Sequence, residues 1–112
     1  MLNVLFVCGQ NRLRSPTAEH VFAEHPGVAC ASAGLKHDAE SPLTPELLEW
    51  AELIFVMEKA QREKLQARFR EYLDDKRIVC LNIPDNYRYM EARLVALLEK
   101  KVTPHLPDTG SE

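Results

Sequence analysis

Short apolar runs alternate along the chain with longer segments in which apolar residues recur every three or four positions. Four such runs are rich in strand-forming residues, as strands that are covered on both faces are. They span residues 2–7, 28–32, 53–57 and 78–81. Between the last two runs, Leu65, Phe69, Tyr72 and Leu73 have the spacing of one helix face. The pattern therefore predicts strands that alternate with helices.

Helix boundaries are marked by proline and by residues that favour a helix N-terminus. Ser15 followed by Pro16 predicts a helix start, and so does Thr44 followed by Pro45. A fourth helix near the C-terminus is indicated by an apolar stripe of Met90, Leu94, Leu97 and Leu98.

The connections between successive strands suit crossovers through helices, which join parallel strands. We therefore predict an α/β fold: a three-layer sandwich with a four-stranded parallel sheet and helices on both faces. The 112 residues are enough for one domain, which we place at residues 1–102. The polar, proline-containing residues 103–112 are predicted to be a flexible C-terminal tail.

Charge and cysteine usage narrow the classes of function. The chain has 14 basic and 17 acidic residues, a net charge of −3, which disfavours nucleic acid or an anionic membrane surface as a partner. No apolar run is long enough to span a membrane. Three cysteines without the spacing of a metal site or a disulfide scaffold predict a cytoplasmic location.

The segment between the first strand and the first helix has the composition of an anion site. Backbone N–H groups of such a loop and the N-terminus of the following helix attract an anion, and an arginine can grip two of its oxygens. The same positive field favours the thiolate form of Cys8, which makes it a candidate nucleophile. The alternative is that Cys8 ends a buried strand and Arg14 is a surface cation. The predicted phosphate-binding residues are Gly9, Gln10, Asn11, Arg12, Leu13 and Arg14.

Residues 4–8 and 14–19, with the loop between them, resemble the phosphate-binding loop of the low-molecular-weight protein tyrosine phosphatase family. The resemblance implies that Cys8 is the nucleophile that becomes a phosphocysteine and that Arg14 binds the phosphoryl group. It also implies that Asn11 holds the loop in shape and that Ser15 donates a hydrogen bond to the thiolate. Similarity continues through residues 32–34 and 51–58 and ends near Asp85.

Three features depart from the family pattern. Gln10 stands where the family usually has glycine, and Leu13 stands where it has a second cysteine. Cys8 therefore has no neighbouring cysteine in the loop with which to form a protective disulfide. The segment between Gly34 and Thr44 is shorter than in typical members, and this affects the wall that selects phosphotyrosine.

Asp85 is the candidate general acid, because it follows the fourth strand at the carboxyl edge of the sheet. The alternative for Asp85 is a turn without chemistry. Tyr87, by the resemblance, flanks the pocket and stacks on an aryl substrate; alternatively it packs on the last helix. Glu58 is interpreted as a carboxylate at a helix start rather than as a second acid.

Together these observations predict a phosphomonoester hydrolase that acts through a phosphocysteine intermediate on a phosphotyrosyl protein or a small aryl phosphate. No metal or cofactor is expected, since Arg14 and the loop amides supply the positive field. Three alternatives stay open. They are a thiol-dependent arsenate reductase, which needs a second reachable thiol, a cysteine phosphocarrier, and a non-catalytic oxyanion-binding module.

Overall fold

A four-stranded parallel sheet lies at the centre of the computed structural model, which describes residues 1–9, 13–36, 38–39 and 41–107. The spatial order of the strands is β2-β1-β3-β4, and every neighbouring pair is parallel. The predicted α/β class is thus confirmed. The strands are β1 (Leu2–Cys8), β2 (Val28–Gly34), β3 (Leu53–Val56) and β4 (Arg77–Cys80).

Helices cover both faces of this sheet. The side chains of α1 and α4 pack in one apolar cluster, and those of α2 and α3 pack in a second cluster on the other face. The result is the three-layer sandwich that the sequence predicts. The helices are α1 (Arg14–Phe22), α2 (Pro45–Trp50), α3 (Lys59–Phe69) and α4 (Ala92–Val102), with 3-10 turns at Arg70–Tyr72 and Thr103–His105. Of the described helices, none is long and apolar enough to cross a membrane.

The continuous apolar run in β1 reflects burial on both faces. Val4, Phe6 and Cys8 belong to the cluster under α1 and α4, whereas Leu5 and Val7 belong to the cluster under α2 and α3. All five side chains are buried. Successive side chains of a strand point to opposite faces, so a central strand of this kind needs an apolar residue at every position.

The first helix begins earlier than predicted. Its first residue is Arg14, and the N–H of Thr17 donates to the carbonyl oxygen of Leu13 at 3.0 Å, which makes Leu13 the N-cap. Ser15 is therefore the second residue of the helix and not its cap. The predicted start of α2 is confirmed, because Thr44 is its N-cap and its Oγ1 accepts from the N–H of Leu47 at 3.2 Å.

The strand order changes direction at β1. From β1 the chain crosses to β2 on one side, and it then returns to form β3 on the other side of β1. In open parallel sheets, ligands bind outside the carboxyl ends of the strands at such a switch point. Cys8 ends β1 and Glu58 lies two residues beyond β3, so both residues are at this crevice.

The chain stays in contact with the sheet beyond α4. Leu106 is buried in the α1–α4 cluster, and the ring of His105 packs edge-on against Phe55, with centroids 5.7 Å apart. His105 and Leu106 therefore pack against the domain, within the segment that the sequence predicts to be a flexible tail. Residues 108–112 lie outside the described part of the chain.

Candidate active site

Cys8 is held at the carboxyl end of β1 by the segment that follows β2. It pairs with Gly34 in the sheet register, and its carbonyl oxygen accepts from the N–H of Leu35 at 2.8 Å. The carbonyl oxygen of Gly9 accepts in the same way from the N–H of Lys36 at 3.0 Å. The backbone at the start of the predicted loop is therefore fixed by the neighbouring strand.

Arg14 is a buried cation at the N-terminus of α1, with a side chain that is only 6% exposed. Its Nη1 donates to the carboxylate of Glu58 and, at 2.8 Å, to the carbonyl oxygen of Ile83. Its Nε lies 3.7 Å from Oδ1 of Asp85. The structure thus excludes the surface-cation interpretation and brings Arg14 together with two carboxylates.

Glu58 also lies in the site, although the sequence predicts only that it is a carboxylate at a helix start. It is the N-cap of α3, as predicted, and its backbone N–H donates to Oε1 of Gln61 at 3.1 Å. In addition, its carboxylate pairs with Arg14 across the crevice between β1 and β3. The only sequence signal for this pairing is position, because Glu58 follows a strand that lies next to the one carrying Cys8.

Asp85 reaches the same edge of the sheet because the chain after β4 runs beside the end of β3. The N–H of Leu81 donates to the carbonyl oxygen of Val56 at 2.9 Å, and the N–H of Ile83 donates to that of Met57 at 2.8 Å. This extension carries Asp85 to Arg14, with its side chain 60% exposed. Asp85 thus lies beside Arg14, and its role as a general acid stays a prediction.

Tyr87 lies in the loop between Asp85 and α4. Its half-buried ring packs against the α1–α4 cluster, and the guanidinium carbon of Arg93 lies 5.7 Å from the ring centroid. The loop is tied to α1, since the N–H of Met90 donates to Oγ1 of Thr17 at 3.0 Å. Packing on the last helix, the alternative interpretation of Tyr87, is thus present in the structure.

Ser15 is fully buried in the first turn of α1. Its hydroxyl has no hydrogen-bond partner among the residues that the structure describes, so the implied bond to Cys8 is not seen there. A buried hydroxyl without a partner is costly and is often explained by function. Gly9 and Leu13 border the loop, while Gln10, Asn11 and Arg12 lie outside the described residues.

The other two cysteines lie away from Cys8. Cys30 pairs with Val4 in the register of β1 and β2, four residues before Cys8, or about 13 Å along the strand. Cys80, in β4, pairs with Val56 of β3 and lies two strands from β1, or about 10 Å across the sheet. Burial, and secondarily the charge of Glu19, raise the pKa of Cys30 to about 11.

Comparisons with known proteins agree with this geometry, although no protein-family model matches the sequence. The chain is 33% identical over 100 residues to the protein-arginine-phosphatase of Bacillus subtilis (strain 168), covering 65% of this chain and 67% of the relative. Wzb of Vibrio vulnificus, in complex with benzylphosphonate, superposes with a TM-score of 0.76 at 25% identity, over 93% of this chain and 96% of Wzb.

The low-molecular-weight protein tyrosine phosphatase of T. tengcongensis has the same fold, with a TM-score of 0.72 at 24% identity, over 95% of this chain and all of that protein. The similarity in sequence to the arginine phosphatase extends over two thirds of that enzyme. The residues that carry the resemblance, Cys8 and Arg14, lie where the strand order changes direction. The chain therefore belongs to the low-molecular-weight protein tyrosine phosphatase family, whose members are cysteine phosphatases.

Proposed function

We propose that this protein removes the phosphoryl group from a phosphorylated protein or a small aryl phosphate, with Cys8 as nucleophile, Arg14 as phosphoryl ligand and Asp85 as general acid and base. One observation carries the proposal. A buried arginine lies beside two carboxylates, at the edge of the sheet where β1 ends in a cysteine. Buried cations that are aimed into a crevice suit a ligand with two negative charges.

In the first step, the Cys8 thiolate attacks phosphorus, and the bond from phosphorus to the leaving oxygen breaks. Asp85, in its acid form, gives its proton to that oxygen, because an alkoxide or phenoxide is a poor leaving group. The Arg14 guanidinium and the backbone N–H groups of residues 9–14 hold the three remaining oxygens. The product of this step is phosphocysteine together with the free alcohol or phenol.

In the second step, water attacks the phosphocysteine, and the sulfur–phosphorus bond breaks. Asp85, now a carboxylate, accepts a proton from the attacking water. The products are inorganic phosphate and the Cys8 thiolate, so the enzyme returns to its starting state. The buried Ser15 hydroxyl is a suitable donor to the sulfur when it departs, since it has no partner among the described residues.

Arg14 is partly neutralised before substrate arrives. Its Nη1 is taken up by Glu58 and Ile83, and a guanidinium has five N–H donors in a planar fork. The remaining donors can contact two phosphoryl oxygens while Glu58 keeps the plane of the fork in place. Glu58 thus supports the proposal as a positioning residue for Arg14.

The leaving group defines the class of substrate, and aryl phosphates are the first candidate class. The Tyr87 ring, in the loop that carries Asp85, is only half-buried, and the exposed part of such a ring can stack on a planar aryl group. Wzb, a solved relative in fold, carries benzylphosphonate, in which a benzyl group is joined to a phosphonate. A phosphotyrosyl protein is therefore the expected macromolecular substrate.

Phosphoarginine is the second candidate, and it is favoured by the 33% identity to a protein-arginine-phosphatase. Its leaving group is a planar guanidine, which becomes a cation when it is protonated. A half-exposed carboxylate such as Asp85 suits that cation, and a tyrosine ring such as Tyr87 can stack on its plane. The same acid could thus serve either leaving group.

The reductase alternative is not favoured. An arsenate reductase of the thiol-dependent type needs a second thiol that can reach Cys8, and disulfides require Cα atoms less than about 7 Å apart. The strand spacings place Cys30 about 13 Å and Cys80 about 10 Å from Cys8.

The function is tested by measuring phosphate release from an aryl phosphate, a phosphotyrosyl peptide and a phosphoarginyl peptide, with an arsenate reduction assay run beside them. We expect metal-independent turnover by the wild-type protein and none by Cys8→Ser, because serine at this position has no thiolate to stabilise. Circular dichroism and the melting temperature of Cys8→Ser serve as controls for folding. Appreciable hydrolysis by a folded Cys8→Ser variant would overturn the phosphocysteine mechanism.

A further inference from the structure

A groove of about 410 Å³ opens beside Gly9, at the start of the predicted phosphate-binding loop. Gly9 and Lys36 line one wall, and α3 forms the other wall. We call this feature the basic groove, because the charged side chains that line it are Lys36, Lys64 and Arg68, with Asp38 as the single acid among the described residues.

Lys36 is fixed at the end of the basic groove next to the nucleophile. Its backbone N–H donates to the carbonyl oxygen of Gly9 at 3.0 Å, and its Cε lies 4.0 Å from the point that a Cβ at Gly9 would occupy. Gly9 directly follows Cys8 in the sequence. The Lys36 side chain therefore lies beside Gly9, at the start of the predicted phosphate-binding loop.

The wall formed by α3 begins near the catalytic residues and runs away from them. Gln61 is anchored at the helix start, where its Oε1 accepts from the N–H groups of Met57 and Glu58 at 3.0 and 3.1 Å. Lys64 and Arg68 follow at positions i+3 and i+7, on the same face of the helix.

Arg68 also joins the two walls, because its guanidinium donates to the carbonyl oxygen of Leu35 and lies 5.0 Å from the centroid of the Phe69 ring. The cations of the groove are thus attached to two fixed elements.

The charge of the basic groove contrasts with that of the whole molecule. The chain carries a net charge of −3, yet three cations line the groove against one carboxylate. No carboxylate of the described residues forms an ion pair with Lys36, Lys64 or Arg68. Positive charges that form no ion pair within the protein are available to a ligand, and they favour a ligand with negative charge.

We infer that the basic groove binds an acidic segment of the protein substrate, adjacent in sequence to the phosphorylated residue. This inference rests on the proposed function, since the phosphorylated residue must occupy the loop that ends at Arg14. The groove then receives the residues beside it. A substrate with aspartate or glutamate in that segment is preferred over one with neutral or basic residues.

The dimensions indicate how close the acidic residues must be. Seven residues separate Gln61 from Arg68, which is about 10 Å along a helix. An extended peptide covers that length with about three residues. Carboxylates within about three positions of the phosphorylated residue can therefore face Lys64 and Arg68.

The inference is tested with two phosphopeptides of equal length, one with aspartate and glutamate at three positions on each side of the phosphorylated residue and one with asparagine and glutamine there. The phosphorylated residue is the one that the wild-type enzyme hydrolyses faster. We expect kcat/KM to be about five- to tenfold higher for the acidic peptide, and the ratio to fall towards one at high salt.

Charge reversal locates the effect. Lys64→Glu and Lys36→Glu, on opposite walls, should each lower the acidic-to-neutral ratio to about one or below. Arg77→Glu is the matched control, because it makes the same change of charge at an exposed residue at the start of β4, away from the carboxyl edge. That variant should keep the wild-type ratio.

The outcomes separate this inference from the proposed function. A wild-type enzyme that hydrolyses an aryl phosphate but treats the two peptides equally would overturn the basic groove alone. The same holds if Arg77→Glu lowers the ratio as much as Lys64→Glu does, because the effect would then come from net charge. An enzyme without activity on any phosphorylated compound would overturn the proposed function itself.

Discussion

Arg14 and Glu58 form an ion pair that connects the N-terminus of α1 to the N-terminus of α3. The arginine is buried, with 6% of its side chain exposed, and the glutamate is 41% exposed. A buried cation is stable only when it is paired and hydrogen-bonded, and Arg14 meets this need through Glu58 and Ile83. The pair therefore fixes the orientation of the Arg14 guanidinium.

Replacement of Glu58 tests this positioning role. We expect Glu58→Ala to lower kcat/KM for an aryl phosphate by about 10–100-fold, because the Arg14 fork loses the group that holds its plane. Glu58→Gln keeps an oxygen that can accept from Nη1, and it should restore most of the lost activity. Inhibition by inorganic phosphate, measured in parallel, reports how well each variant binds the anion.

A merely structural role for Glu58 would give a different result. In that case Glu58→Ala would lower the free energy of unfolding while kcat/KM per folded molecule and phosphate inhibition stayed at wild-type values. Urea unfolding of both variants separates the two effects. Equal kinetics of Glu58→Ala and wild type would contradict the positioning role.

The sequence is sufficient to predict the class of fold and the edge of the sheet that carries the site. Consecutive apolar residues such as Val4 and Leu5 indicate a strand with two covered faces, and this pattern depends only on local sequence. Both residues are buried in the structure. The position of Asp85 follows from the same logic, since it comes after the last strand. Both predictions need only the order of the elements.

Contacts between side chains of different elements cannot be predicted from the order of the elements alone. The Arg14–Glu58 contact depends on β3 lying next to β1, and Glu58 has a complete local explanation as a helix cap. The packing of Leu106 could not be predicted for the same reason. Leu106 is a single apolar residue in a polar segment, and its contact with the α1–α4 cluster is visible only in the folded structure. In the structure α1 begins two residues before the predicted start, at Arg14 instead of Pro16, because the N–H of Thr17 donates to the carbonyl oxygen of Leu13.

Thr17 links α1 to the loop that carries Asp85, and we expect Thr17→Val to weaken this link. The residue is fully buried and its hydroxyl accepts from the N–H of Met90, which has a positive φ of 60°. Valine has nearly the same shape but no acceptor, so the free energy of unfolding should fall by about 1–3 kcal/mol. Urea denaturation measures this change.

Thr17→Ser is the matched control, because it keeps the hydroxyl and removes only a methyl group. It should retain the hydrogen bond to Met90 and lose less stability than Thr17→Val. A valine variant that is as stable as the wild type would show that the hydrogen bond contributes nothing to holding the loop.

Oxidation of the three cysteines tests the distances across the sheet. We expect peroxide to convert Cys8 to a sulfenic acid or, with added thiol, to a mixed disulfide, without a bond to Cys30 or Cys80. The pKa of Cys30 also disfavours a disulfide between Cys8 and Cys30. The pKa of Cys30 is raised to about 11, which disfavours its thiolate near neutral pH, and the thiolate is the form that attacks.

Peptide mapping by mass spectrometry after peroxide treatment at pH 7.5 identifies the products. Cys30→Ser and Cys80→Ser should be inactivated at the wild-type rate, since neither thiol protects Cys8. A Cys8–Cys30 or Cys8–Cys80 disulfide in the intact wild-type protein would contradict the prediction and would favour the arsenate reductase interpretation.

Asp85 is the residue whose role is tested by changing the leaving group. If it protonates the departing oxygen, Asp85→Asn should slow hydrolysis of alkyl phosphates by about 10²–10⁴-fold and that of activated aryl phosphates much less. Activated phenols leave as anions with little help, so they depend weakly on a proton donor. The variant should also lose the decrease in kcat/KM at high pH, because that decrease reports loss of the acid's proton.

The position of Asp85 makes a second explanation testable in the same experiment. Its Oδ1 lies 3.7 Å from Nε of Arg14, so asparagine also removes a charge that faces the guanidinium. A loss of orientation would lower kcat/KM equally for every leaving group, since each substrate needs the same grip on its phosphoryl oxygens. An equal decrease with an unchanged pH profile would therefore assign Asp85 to positioning Arg14, and Glu58, the other carboxylate beside Arg14, would then be the next residue to test as the acid.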